Sequence, residues 1–258
     1  MKSTRTLSPE AMVRGMYRKL ARSWGRQHWW PAETPFEVLV GAILTQNTSW
    51  ANVERAIASL RGAEVLSVAG IRAVTMARLQ ELVHSSGYYR QKAQRLKDFV
   101  SFLDQKHAGS LETMFATPTD ELRAELLSLK GIGPETADAI LLYAGNHEIF
   151  VVDAYTRRVL ERHGAVDGRA DYDQVRTLVQ RALQSERPLV SVKSMPPKRV
   201  PIHGPSAMSA ARRSPVSQVY NEMHGLFVQV GKHYCLKQGP RCEACPLRTL
   251  LPAGPLPL

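Results

Sequence analysis

Leu129-Lys130-Gly131-Ile132-Gly133-Pro134-Glu135-Thr136-Ala137-Asp138 is the stretch whose reading decides the fold. Helical spacing runs over 121–127, breaks at Gly131-Ile132-Gly133 and resumes over 134–143. Pro134 falls early in the second helix, where a missing N–H costs nothing. Two glycines let the backbone turn tightly and let a ligand approach it. Amides at such a turn and at the following helix start point outward with partial positive charge, which makes an anion site. Twenty residues after Gly133, the apolar run Phe150-Val151-Val152 ends in a carboxylate, Asp153.

The rest of the chain is patterned the same way. Apolar residues recur at helical intervals over 8–24, 35–44, 49–60, 71–83, 91–105, 153–163, 172–184 and 218–231, and almost nothing alternates as a strand would. The spacing predicts an all-α fold. Ser8 suits an N-cap and Pro9 a first helical position. Residues 185–216 break the pattern with six prolines and six basic residues against one acid, Glu186. They read as a disordered basic insertion, either a solvated linker or an arm that touches a polyanion.

The chain has 258 residues, 44% of them hydrophobic, which is enough for one large domain or two lobes with real cores. Its net charge of +11 suits a polyanionic partner without identifying it. No apolar run reaches the roughly 20 residues of a membrane span. The N-terminus is polar and basic and lacks an apolar signal core, so an intracellular place, cytoplasm or nucleoid, is expected rather than secretion. Three cysteines, all near the C-terminus, do not make a disulfide framework.

The hairpin stretch followed by Val151-Val152-Asp153 resembles the helix-hairpin-helix DNA glycosylase superfamily, which includes endonuclease III. The resemblance runs from about residue 29 to 183 and again from 220 to the C-terminus. Trp29-Trp30-Pro31, Leu44-Thr45-Gln46-Asn47-Thr48-Ser49-Trp50 and Ser86-Gly87-Tyr88-Tyr89-Arg90-Gln91-Lys92-Ala93 are similar to the 3-methyladenine DNA glycosylase branch. The resemblance implies two helical lobes with DNA in the cleft between them. The central lobe would be 27–147, ending in the hairpin. The composite lobe would join 1–26 to 148–258. It also implies a base excision repair enzyme, acting as a monomer on double-stranded DNA. Such an enzyme hydrolyses the N-glycosidic bond of a flipped-out damaged base, here an alkylated purine.

Roles follow residue by residue. Asp153 would be the catalytic carboxylate, stabilising the oxocarbenium-like sugar and orienting the attacking water; an ordinary N-cap aspartate is the plainer reading. Gly131, Ile132 and Gly133 would offer amides to a phosphate, with Lys130 and Lys92 beside them and Arg90, Arg95 and Arg157 as flanking cations. Gln46 would fill the gap left in the duplex, with Tyr88 or Tyr89 as a wedge. Trp29, Trp30, Pro31 and Trp50 would form the base pocket, because aromatic faces bind cationic rings well. Glu135 stands where strand-cleaving members carry the Schiff-base lysine, which implies a monofunctional enzyme; it is either a partner in the pocket or a first-turn acid favoured by the helix dipole.

Cys235-x6-Cys242-x2-Cys245 repeats the first three ligands of the endonuclease III iron–sulfur loop, but the fourth falls on Leu251. A [4Fe–4S] cluster wants four thiolates. No cofactor is therefore expected, unless water or a distant residue completes a cluster. Two other functions stay open: an endonuclease III-like glycosylase with AP lyase activity on oxidised or mismatched pyrimidines, and a non-catalytic DNA-binding protein.

Overall fold

A computed structural model of the chain describes residues 7–188 and 205–252. Half of the predicted insertion, 189–204, lies outside the described residues. In order, the helices are Pro9–Trp24 (α1), Pro35–Leu44 (α2), Trp50–Gly62 (α3), Val68–Ala73 (α4), Met76–Leu82 (α5), Tyr89–His107 (α6), Leu111–Phe115 (α7), Thr119–Ser128 (α8), Pro134–Ala139 (α9), Ala154–Arg162 (α10), Tyr172–Leu183 (α11), Ala207–Ala210 (α12) and Pro215–His233 (α13). The described residues contain no strand, as an all-α chain requires. No helix among them is long and apolar enough to cross a membrane.

Side-chain caps set many of the helix starts. Ser8 accepts from the Ala11 amide, Thr34 from Glu37 and Asp171 from Gln174. The single helix expected over 71–83 is two helices. Val74 is extended between them, and Thr75 caps the second by accepting from the Arg78 amide. A β-branched pair with a cap-competent hydroxyl favours that break over a continuous helix. The helix expected over 134–143 is regular only to Ala139; Ile140–Ala144 forms a wider π-turn, closed by the Gly145 amide on the Ile140 carbonyl at 3.2 Å.

The chain divides into two compact units. One comprises Met1–Trp29, Glu148–Pro205 and Ala210–Leu258, and the other Trp30–His147 with Ser206–Ser209. In the first, α13 is the central helix, buried from Val219 through Val230 except at Gln229. Tyr17 of α1 donates to Glu222 of α13 at 2.8 Å, and burial, with Glu222 beside it, pushes the phenol pKa up. In the second unit α2 is the central helix; from Phe36 to Leu44 every residue is buried.

The insertion is not uniformly irregular. Glu186 pairs with Arg18 at 2.6 Å, and the Arg187 carbonyl accepts from Tyr17. Ser206 donates to the Trp30 carbonyl at 3.1 Å, the Met208 amide donates to the Ala32 carbonyl at 3.0 Å, and Met208 and Ser209 are buried. The expectation of disorder across 185–216 is thus corrected at both of its described ends. Single polar bonds and one buried Met carry the order there, and neither leaves a periodic trace in the sequence.

Two buried charges organise the second unit. Arg123 of α8 grips Asp138 of α9 with both carboxylate oxygens engaged, at 2.7 and 3.3 Å, and Asp138 is fully buried. That pair ties the two helices of the hairpin. Lys92 of α6 is 1% exposed and donates to the carbonyls of Leu44 at 2.8 Å and Ser86 at 2.6 Å. It closes the C-terminal end of α2, where carbonyls otherwise lack partners. Burial, with Arg95 adding to it, pushes its pKa down to about 8.

Replacing Asp138 by Ala breaks this largely buried ion pair, so a stability loss of roughly 3 kcal/mol is expected, read as a lowered thermal midpoint. Lys92 binds its proton less tightly folded than unfolded, so its contribution to stability rises with pH between about 8 and the ordinary lysine value. Wild type should therefore gain stability relative to Lys92→Met as pH climbs through that window; a constant gap in melting temperature would refute the buried-amine assignment.

Candidate active site

The hairpin turn is built from its glycines. Gly131 has φ of +85°, a backbone conformation that a side chain strains, and a Cβ there would also collide with the Arg95 guanidinium. The Ile132 amide donates to the Leu129 carbonyl at 3.0 Å, and its side chain is buried. Ile132 therefore spends its amide inside the turn, and of the three residues expected to offer amides only Gly131 and Gly133 are exposed. Lys130 is exposed beside them, and Glu135 is exposed on the first turn of α9.

Gln46 lies in this same turn. Its Nε2 donates to the Gly131 carbonyl and to Thr136 Oγ1, each at 2.9 Å, and its Oε1 accepts from Arg95. The polar break at 45–48 is thus latched to the hairpin, a connection that spacing alone did not reveal. Arg95 is the residue that sequence reasoning undervalued, as one surface cation among several. It covers Gly131 and holds Gln46.

Lys92 is a correction. It was expected to contact DNA phosphate, but its ammonium is buried against two carbonyls of its own unit and does not present to solvent. The signal was available: Lys92 is in helical register with Leu96, Phe99 and Leu103, all buried. Arg157 donates to the Ala170 carbonyl at 2.7 Å. Arg90 is exposed beside the Tyr89 ring, and Tyr88 is 65% exposed with a left-handed backbone.

The tryptophans separate. Trp30 is buried, with the Trp50 ring edge-on at 5.0 Å and Tyr143 at 5.2 Å. Trp50 opens α3 and donates to Glu54 at 2.9 Å. Pro31 is half-buried next to Trp30. Tyr143, from the π-turn, joins the expected pocket group; in the sequence it looks like one more apolar residue of a core helix. Trp29 belongs to the other unit, where its ring lies 6.2 Å from that of His224.

Asp153 is the N-cap of α10. Its Oδ1 accepts from the Thr156 amide at 2.7 Å, and its Oδ2 lies 3.6 Å from His224 Nε2. Burial pushes the carboxyl pKa up, but His224 and Thr156 beside it outweigh that, so Asp153 sits below the usual carboxylate range. At neutral pH it is an ionised carboxylate in a largely dry place, its side chain 14% exposed. That state stabilises positive charge and accepts a proton.

Cys235, Cys242 and Cys245 line one recess with Leu251, His163 and Arg162. The donor set offers three thiols, and Leu251 stands where the fourth would be, so a four-thiolate cluster does not fit. Among the described residues no group of three or more His, Cys, Asp or Glu could hold a metal ion. Arginines of α10 hold this loop instead. Arg158 donates to the Cys235 carbonyl at 2.7 Å, and Arg162 to the carbonyls of Leu236 at 2.5 Å and Lys237 at 3.1 Å.

Comparison with known proteins identifies the family. A protein of Methanocaldococcus jannaschii named "Putative DNA repair glycosylase MJ1434" is 40% identical over 92% of this chain and 94% of its own length. Endonuclease III of Thermotoga maritima is 27% identical, over 92% of this chain and 91% of its own. Among solved structures, the H. pylori 3-methyladenine DNA glycosylase bound to 1,N6-ethenoadenine superposes with a TM-score of 0.67 at 28% identity, covering 88% of this chain and 98% of that one. A trapped endonuclease III–DNA covalent intermediate gives 0.68 at 22% identity, over 94% and 95%, a likeness of fold. The sequence model of HhH-GPD superfamily base excision DNA repair proteins matches residues 40–185, more than half the chain and the span holding both hairpin and Asp153, and the protein belongs to that superfamily.

Proposed function

We propose that this protein is a monofunctional DNA glycosylase that releases alkylated purines from double-stranded DNA. The observation that carries the reading is Asp153, a clamped, ionised carboxylate in a largely dry place. In the reaction the C1′–N bond breaks and its electron pair leaves with the base. Asp153 stabilises the oxocarbenium-like sugar, water attacks C1′, and the proton lost by water passes to Asp153. An alkylated purine carries a positive charge and departs neutral, so the base needs little acid catalysis.

Three further observations support the substrate class and the absence of a lyase. Glu135 occupies the first turn of α9, and a carboxylate cannot form a Schiff base with the abasic sugar. Trp30, Trp50 and Tyr143 form an aromatic group suited to an electron-poor ring. The H. pylori relative, titled a 3-methyladenine glycosylase, carries an etheno-modified adenine. The exposed Gly131 and Gly133 backbone would hold a phosphate with Lys130, and Gln46 would enter the duplex when the base flips, giving up its bonds to Gly131 and Thr136.

Base release from duplexes carrying 3-methyladenine, 7-methylguanine, thymine glycol or uracil opposite guanine tests this directly. Methylated purines should be released by wild type, and Asp153→Asn should lower the single-turnover rate by 100-fold or more, about 2.7 kcal/mol of barrier. Borohydride should trap no covalent adduct on abasic DNA. Release of thymine glycol, or a trapped complex, would move the protein to the endonuclease III class. Undiminished activity in Asp153→Asn would remove that residue from the chemistry.

A further inference from the structure

We infer that His224 is the positioning residue of Asp153, holding the second carboxylate oxygen while the start of α10 holds the first. The inference rests on the catalytic role proposed for Asp153. Both residues belong to one compact unit, although 71 positions separate them.

The geometry is a two-sided clamp. The Thr156 amide fixes Oδ1 at 2.7 Å, and His224 Nε2 faces Oδ2 at 3.6 Å. The second distance is that of an ion contact rather than a hydrogen bond, and such contacts tighten when substrate fills a site. The His224 side chain is only 5% exposed. Its ring lies 6.2 Å from Trp29 and 6.3 Å from Phe150, both steeply inclined to it, and Phe150 is braced edge-on by Tyr220 at 5.9 Å. Gly225 makes this box feasible: a Cβ there would lie 3.1 Å from Gln27 Cβ and 3.2 Å from Trp29 Cβ. The missing side chain lets the Gln27–Trp29 segment close onto α13 and set Trp29 against the imidazole.

Asp153 is the carboxylate in ion contact with His224, and the neighbouring charged groups have contacts of their own. On its own helix, Glu222 is engaged by Tyr17 at 2.8 Å and Arg26 at 3.6 Å. From α10, Arg158 is turned to the carbonyls of Cys235 and Gly231. Glu148, at the start of the run to Asp153, accepts from Ser214. The Gln27–Trp29 segment adds His28, whose pKa burial and then Arg26 push down, away from the charged form. The rings of Trp29 and Phe150 are neutral. His224 facing Oδ2 helps keep Asp153 ionised until the attacking water gives up its proton. It also prevents the carboxylate from rotating about the N-cap bond, so Oδ2 stays aimed.

Two measurements decide the matter. The first follows the Asp153 carboxyl by 13C NMR in the free protein, its signal identified by its loss in Asp153→Asn. Wild type should titrate below the usual aspartate value, and His224→Gln and His224→Asn should raise that value by about one unit or more. The second is the pH profile of single-turnover base release. Its acid limb should move up by the same amount in the variants, with the plateau kept within about tenfold. A wild-type carboxyl titrating at or above the ordinary value would overturn the inference, as would an unmoved titration in the variants. An equal rate loss at every pH would mark His224 as merely structural and overturn it too. Should wild type release no base at all, the proposed function fails, while the carboxyl titration still judges the clamp.

Discussion

The Arg123–Asp138 pair is the interaction on which the hairpin depends. A turn built on glycines must keep its shape without help from side chains at its tip, because glycines supply none. The rigidity has to come from behind. A fully buried carboxylate on one helix and a two-pronged guanidinium on the other provide it, since planar bidentate pairing fixes angle as well as distance. Neither charge tolerates burial alone, so the two helices are held to one register. Gln46 and Arg95 then add a second layer at the front of the turn.

Much of this was legible in the sequence, for identifiable reasons. Helices with one apolar face and a hydroxyl or carboxylate at their start were read nearly to the residue, as with Pro9–Trp24 behind Ser8 and Pro35–Leu44 behind Thr34. Asp153 announced itself as an N-cap because the apolar run before it could not continue a polar-faced helix. What stayed hidden was set by contacts distant in the chain. Nothing near His224 says that it meets a carboxylate 71 positions earlier. The short helix at Ala207–Ala210 owes its order to carbonyls of Trp30 and Ala32. Lys92 was misread for a different cause. Its register with Leu96 and Phe99 was visible, but a lysine invites a surface reading, and only two inward carbonyls make burial affordable.

The aromatic residues near 29–31 show how neighbours in sequence divide their labour. Trp30 joins Trp50 and Tyr143, whereas Trp29 packs on the imidazole next to Asp153. One tryptophan thus packs in the aromatic group of its own unit, and its neighbour packs against the imidazole of the other. A substitution at either position would report on a different step, although the two side chains are covalently adjacent.

The π-turn at Ile140–Ala144 places Tyr143 where it meets Trp30. Such a turn holds one residue more than a regular helix needs. Each helical residue advances the chain by about 100°, so losing one residue there would restore an ordinary helix and swing Tyr143 away from Trp30. Chain length at this point therefore decides whether Tyr143 meets Trp30 at all. A single-codon deletion could move Tyr143 off Trp30 while leaving the turn at 131–133, ten residues upstream, as it was.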